Sequence, residues 1–165
     1  MCSQFDILWN EITAEEHLRL FGRLKGIPGE DLEARIDETL AFVNLTADKK
    51  NKVARFSGGM KRRLSLAIAA IGSPRIILLD EPTTGLDPKV RGQVWRLVER
   101  LKEGRSIILT THSMEEADVL ADRICVMAKG RLKCVGSSFY LKRMYGEGHR
   151  ILINLKRRED ESTVV

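Results

Sequence analysis

Four consecutive aliphatic residues, Ile76-Ile77-Leu78-Leu79, run directly into Asp80-Glu81-Pro82, and no other stretch of the chain limits the possible folds so strongly. Apolar residues at both odd and even positions suit a parallel strand covered on its two faces. Such a strand delivers Asp80 and Glu81 at its C-terminal end, where open α/β sheets bind ligands. Asp80 is placed to hold Mg²⁺ through its water shell, and Glu81 to polarise a water for attack on a phosphoryl group. An acidic strand exit is equally common as a solvated or helix-capping turn, so the surrounding pattern has to decide.

That pattern divides the chain into a helical front and an α/β back. Thr13 with Glu16 forms a capping box, and Leu18, Phe21 and Leu24 follow at helical spacing, predicting a helix near 14–25 that ends at Gly26. Leu32, Ile36, Leu40 and Val43 predict a second amphipathic helix, and the polar run from Asp48 to Lys52 a loop. Ser57 caps a third helix with Leu64, Ala67, Ile68 and Ile71 on one face, closed by Gly72-Ser73-Pro74. After the acidic strand, Asp87-Pro88 opens a helix with Val90, Val94, Leu97, Val98 and Leu101, and Ser106 to Thr111 reads as a second buried strand. This is a βαβ unit. Ser113 with Glu116 predicts another capping box, Arg123–Ala128 and Arg131–Val135 a hairpin, Tyr140, Leu141 and Met144 a last helix, and Arg150–Leu155 a last strand.

The context of the acidic strand points to phosphate. Ser57-Gly58-Gly59 opens a helix with a hydroxyl and two glycines, exposing backbone N–H groups and the positive end of the helix dipole, although an ordinary N-cap with two small residues has the same appearance. Asp87 follows the acidic strand by a few residues. His112 stands at the end of the next strand, where a neutral imidazole can donate to a γ-phosphate, although a lone histidine at a strand end is usually structural. Gln4 supplies an amide able to sense a metal or an attacking water. The charge, 28 Lys and Arg against 23 Asp and Glu, favours acidic partners without choosing among them. Nine aromatic residues make a poor stacking platform, which argues against single-stranded nucleic acid. Cys2, Cys125 and Cys134 show neither disulfide nor zinc spacing and read as reduced cytoplasmic thiols, and no apolar run is long enough to span a bilayer.

Taken together, these residues resemble the nucleotide-binding domains of ATP-binding cassette (ABC) transporters, in the family's order over residues 2 to about 135. Gln4 falls at the Q-loop, Ser57, Gly58 and Gly59 at the signature motif, Asp80 and Glu81 at the Walker B pair, Asp87 at the D-loop and His112 at the switch histidine. Cys2–Trp9, Met60-Lys61-Arg62-Arg63, Gly136-Ser137-Ser138 and Leu141-Lys142 look most like subfamily A, whose members are mostly linked to lipid movement. The resemblance implies an α/β fold, a partial P-loop NTPase (RecA-like) with a mostly parallel sheet flanked by helices and an ABC-type helical subdomain. It divides the chain into a Q-loop region (1–12), a helical subdomain with the signature helix (13–72), a Walker B to switch-histidine core (73–135) and a C-terminal extension (136–165). It implies ATP and Mg²⁺ as ligands, with Asp80 and Gln4 toward Mg²⁺, and Glu81 and His112 as catalytic groups. Its implied partners are a second nucleotide-binding domain and a transmembrane domain at the cytoplasmic face of a membrane.

One departure is large. The phosphate-binding loop G-x-x-x-x-G-K-[ST] does not occur in the sequence, and only three residues precede Gln4. If that loop makes three charge-assisted hydrogen bonds at ~1.5–3 kcal/mol each, about 4.5–9 kcal/mol of binding is missing, as much as a micromolar to millimolar affinity is worth. The isolated chain is therefore expected neither to hold ATP alone nor to hydrolyse it. It could still supply Ser57, Gly58 and Gly59 to ATP held by a partner cassette, as a non-catalytic half-site. The short span from Gln4 to Ser57 carries no sustained heptads, which argues against a chromosome-maintenance ATPase head. Phe5, Ile7, Leu8 and Trp9 form a hydrophobic turn facing the membrane domain in the family, with Trp9 as the expected contact. Packing beneath the first helix is the competing role for Phe5 and Leu8. Lys61, Arg62 and Arg63 are expected on the solvated side of the signature helix.

Overall fold

The computed structural model describes residues 1–146, which form two compact units, Met1–Ala121 and a second beginning at Asp122. The expected strand at Arg150–Leu155 lies outside the described residues.

In the first unit, α1 (Ala14–Leu24) begins with the reciprocal box: Thr13 Oγ1 accepts from the Glu16 N–H, and the Glu16 carboxylate accepts from the Thr13 N–H. Gly26, at φ +78°, turns the chain into α2 (Gly29–Phe42), which buries Leu32, Ile36 and Leu40. The polar connection that follows contains short 3₁₀ turns at Thr46–Asp48 and Val53–Arg55. α3 (Gly58–Ala70) is the centre of the unit. It packs on α1, on α2, on β1 (Ile76–Asp80) and on α4 (Pro88–Leu101), and Leu64, Leu66, Ala67 and Ala69 are buried along it. Fully burying each of its two core leucines, Leu64 and Leu66, is worth about 1.5–3 kcal/mol. Lys25 closes its last turn, donating from Nζ to the carbonyls of Ile68, Ala69 and Ile71.

β1 pairs in parallel with β2 (Ser106–Thr110), Ile76 opposite Ser106 and Asp80 opposite Thr110. On the other edge of β1, the Cys2 N–H donates to Leu78 O at 2.7 Å and the Asp80 N–H to Cys2 O at 2.9 Å. This one-residue bridge sets Gln4 beside the exit of β1. The two faces of the sheet are unequal, contrary to the expectation of double coverage. Ile77 and Leu79 are buried, whereas Ile76 is 62% and Ile108 61% exposed. The helical layer, α3 among it, covers one face, and the other is left largely open, with Leu78 there still 41% exposed.

Two further expectations are corrected. Lys61-Arg62-Arg63 is not a solvated face: Arg62 is 4% exposed, and Arg63 donates to the carbonyls of Val43 and Asn44. With α1, α2, α4 and β1 packed around it, α3 has too little free circumference for three basic side chains. At α5 (Met114–Leu120), Ser113 accepts from the Glu116 N–H, but the Glu116 carboxylate turns inward instead of completing the box. There its Oε1 accepts from Thr83 Oγ1 at 2.7 Å and from Trp95 Nε1 at 3.0 Å, joining α5 to the loop after β1 and to α4.

The second unit is the expected hairpin, β3 (Ile124–Ala128) antiparallel to β4 (Arg131–Gly136), followed by α6 (Ser138–Tyr145). Lys129 and Gly130, at φ +52° and +69°, make its two-residue turn.

His17 connects the first helix to the hydrophobic turn. Fully buried, it places Nδ1 2.8 Å from the Thr13 carbonyl, while Nε2 accepts from the Trp9 N–H at 3.0 Å. These partners admit only the neutral ring, because a proton on Nε2 would face the Trp9 N–H. Burial pushes the His17 pKa below its ordinary value, outweighing the Thr13 carbonyl and Glu16, which act in the opposite direction. A folded pKa below the unfolded one means that the unfolded chain binds more protons in that window, so stability is complete above pH ~6.5 and declines as pH falls below it. Urea midpoints should therefore fall between pH about 7 and about 5 in the native chain, and fall less in a His17→Gln variant.

Candidate nucleotide-hydrolysis site

At the exit of β1 the backbone turns sharply. Glu81 has φ +42°, a left-handed conformation that costs a non-glycine residue about 1–2 kcal/mol. It is held there from both sides: its N–H donates to Thr110 O at 3.0 Å, and its carbonyl accepts from Arg62 Nη2 at 3.2 Å. The turn aims the carboxylate at three donors. Glu81 Oε2 accepts from Thr84 Oγ1 at 2.8 Å and from Gln4 Nε2 at 3.1 Å, and the His112 Nδ1 lies 3.2 Å away. The bonds from Thr84 and then His112 hold the Glu81 carboxyl below the usual carboxylate range, so it is ionised at neutral pH. With Oε2 occupied, a water meeting this carboxylate would use Oε1.

Asp80, beside it, accepts from Thr110 Oγ1 across the β1–β2 register. Adjacent carboxylates at a strand exit fit Mg²⁺, which needs only one or two carboxylates and keeps most of its waters. Gln4 spends its amide nitrogen on Glu81, which leaves its oxygen for a cation or a water. Among the described residues no cluster of three His, Cys, Asp or Glu side chains is built to hold a metal by itself.

The second group of expected residues lies at two adjoining helix starts. Ser57 Oγ accepts from the Met60 N–H, and Asp87 Oδ1 accepts from the N–H groups of Lys89 and Val90 at 3.0 Å each. The two glycines differ. A Cβ on Gly59 would sit 2.7 Å from Val90 Cγ1, so this glycine lets α3 approach α4, whereas a Cβ on Gly58 would meet nothing within 4 Å. Among the described residues Gly58 is therefore not required by packing, and its surface is open to an external ligand.

Arg62 joins the two groups. From α3 its Nε donates to Pro82 O at 2.6 Å, Nη1 to Ser3 O at 2.6 Å, Gln4 O and Asp6 Oδ1 at 3.3 Å each, and Nη2 to Asp80 O at 3.1 Å as well as to Glu81 O. Asp6 is also held by Ser65 Oγ at 2.7 Å. Sequence reasoning missed Arg62, Thr84, Thr110 and the Thr83–Glu116–Trp95 cluster. Thr110 carried no local signal, since only the β1–β2 register sets it opposite Asp80. Arg62 carried a weak signal: Ser65 and Ala69, three and seven residues later, put it on a helix face with small neighbours.

The Phe5–Trp9 turn is exposed at Phe5 (78%) and Ile7 (70%), while Leu8 packs against the core, so packing beneath the helix holds for Leu8 and not for Phe5. Trp9 is 46% exposed and leans on His17 and Phe21, with ring centroids 5.6 and 6.1 Å away.

A βαβ unit with paired carboxylates, a glutamine and a histidine at the strand exits, joined to a helical layer bearing a glycine-rich helix start, defines a nucleotide-binding α/β domain of the P-loop NTPase type. The ABC transporter family model matches residues 1–84, and the chain belongs to that family, in subfamily A. It is 53% identical over 148 residues to ABC transporter A family member 2 of Arabidopsis thaliana, covering 90% of this chain and 15% of that protein. It is 44% identical over 163 residues to ATP-binding cassette sub-family A member 2 of Rattus norvegicus, covering 99% of this chain and 7% of that protein. Among solved structures, one described as the ATP binding subunit of an ABC transporter superposes with a TM-score of 0.74 at 29% identity, over 88% of this chain and 61% of that one. The chain thus spans a small part of the curated relatives that it matches.

The two glycines should separate on substitution. Gly59→Ala is expected to destabilise the chain by about 1–3 kcal/mol through overpacking against Val90, whereas Gly58→Ala should change it by less than about 0.5 kcal/mol. Urea unfolding of both variants checks this, and equal losses would remove the distinction.

Proposed function

We propose that this chain is part of the ATP-hydrolysing cassette of an ABC transporter that moves lipids, working at the cytoplasmic face of a membrane with a second nucleotide-binding domain and a transmembrane domain. The reading rests on one observation above all: Gln4 and His112, from two segments far apart in the sequence, converge on one carboxylate oxygen of Glu81, on a third.

In this reading Glu81 orients the attacking water and takes up its proton. His112, released from Glu81, donates to the γ-phosphate, and Gln4 exchanges its bond to Glu81 for the water or the cation. Asp80 would hold the water shell of a Mg²⁺, which when bound would supply charge neutralisation at the phosphates. Ser57 and the N–H groups of Gly58 and Gly59 close over a triphosphate seated on the partner domain, adding donors where negative charge develops. Asp87, which caps α4 beside Gly59, carries contact between the two domains.

The absence of a G-x-x-x-x-G-K-[ST] pattern in these residues, together with the open surface of Gly58, favours a narrower second reading. The chain alone is then a half-site that supplies its signature face and does not turn over ATP.

A Glu81→Gln change in a protein that carries this cassette with a phosphate-binding loop should lower ATP turnover by about 10²–10⁴-fold, the usual contribution of a general base, with nucleotide affinity retained. Turnover and filter binding measured on the same preparation decide it, and unchanged turnover would remove Glu81 from the role.

A further inference from the structure

We propose that Arg62 is a positioning residue through which the signature helix sets the alignment of Glu81 with Gln4. The inference rests on the ATPase reading for its purpose, but not for its geometry.

Arg62 is one side chain on α3, five residues after Ser57, and it is almost wholly buried. Its planar fork of five N–H donors is spread over two loops at once: the carbonyls of Ser3 and Gln4, just after the Cys2 bridge, and those of Asp80, Glu81 and Pro82 at the exit of β1. The carbonyls of Gln4 and Glu81, whose side chains meet at 3.1 Å, are thus both anchored to the same guanidinium. Glu81 is also the residue in the left-handed conformation, which persists only where neighbours over-determine it. Asp6 balances the charge and ties the Gln4 side back to α3 through Ser65.

A displacement of the α3 N-terminus, such as contact of Ser57–Gly59 with a ligand would impose, is therefore passed to both loops through one rigid plane. A lysine keeps the charge but cannot do this, since its donors radiate from a single nitrogen and lack the fork.

The side-chain amide of Gln4 reports the alignment without nucleotide, and Gln93 is the only other glutamine and serves as the control. In ¹⁵N-labelled native chain the Gln4 amide protons should be shifted from free-amide positions. Arg62→Lys and Arg62→Met variants that still melt cooperatively should return them there, with Gln93 unmoved. Gly59→Ala, which presses α3 against Val90, should move the Gln4 signals when Arg62 is present and leave them unmoved in the Arg62→Met background. An unchanged Gln4 amide in a folded Arg62→Met chain would overturn the proposal, as would an equal response to Gly59→Ala in both backgrounds. If neither Arg62 variant folds, the native chain decides: a scalar coupling from Arg62 Nε across the hydrogen bond to the Pro82 carbonyl carbon supports the proposal, and fast exchange of that Nε–H overturns it. Because no ATP is present, failure here leaves the ATPase reading intact, and a chain without a part in hydrolysis leaves this result intact.

Discussion

The buried guanidinium of Arg62 is the constraint on which the rest of the site depends. A charge removed from water is tolerated only when its donors are satisfied, and here five carbonyls and the Asp6 carboxylate satisfy them. Those acceptors are the backbone of the two loops that carry Gln4 and Glu81. Moving either loop would leave buried N–H groups without partners, so the loops, the signature helix and the acidic strand exit must keep one mutual arrangement. The left-handed turn at Glu81 is a consequence, since its peptide groups are fixed by Thr110 on one side and Arg62 on the other.

The surroundings of α3 explain why one helix can carry this burden. It lies between α1, α2, α4 and β1, and Lys25 closes its C-terminus. Its N-terminus is held against α4 by Gly59, while Gly58 remains open. The helix is thus packed along its length and free at one surface of its first turn, an arrangement suited to sensing a ligand there and reporting it inward. Glu116 does comparable work on the other side, tying α5, just after His112, to Thr83 and Trp95.

Much of this was legible in the sequence, and the omissions have physical causes. Spacing and caps located the helices because Thr13, Ser57, Asp87 and Ser113 each bond the first turn of their own helix, a local interaction. Gln4, Glu81 and His112 were recognisable as motif residues, yet their convergence on one oxygen depends on the Cys2 bridge and the β1–β2 register, which are long-range. Charge misled in two places. Arg62 resembled an ordinary surface cation beside Lys61 and Arg63, and Glu116 resembled an ordinary capping-box carboxylate, because local pattern does not show which polar side chains tertiary packing will enclose. The uneven coverage of β1 was missed for the same reason: alternation tells how apolar a strand is, and the neighbours present decide how much of it they shield.

We propose that these residues preassemble the hydrolytic edge and the signature surface of an ATP site and, carrying no G-x-x-x-x-G-K-[ST] pattern, do not hold the triphosphate by themselves. Calorimetric titration of the purified chain with Mg-ATP tests this most directly. The account predicts no saturable binding tighter than about millimolar, some 4 kcal/mol, and a one-to-one complex with a micromolar dissociation constant would contradict it.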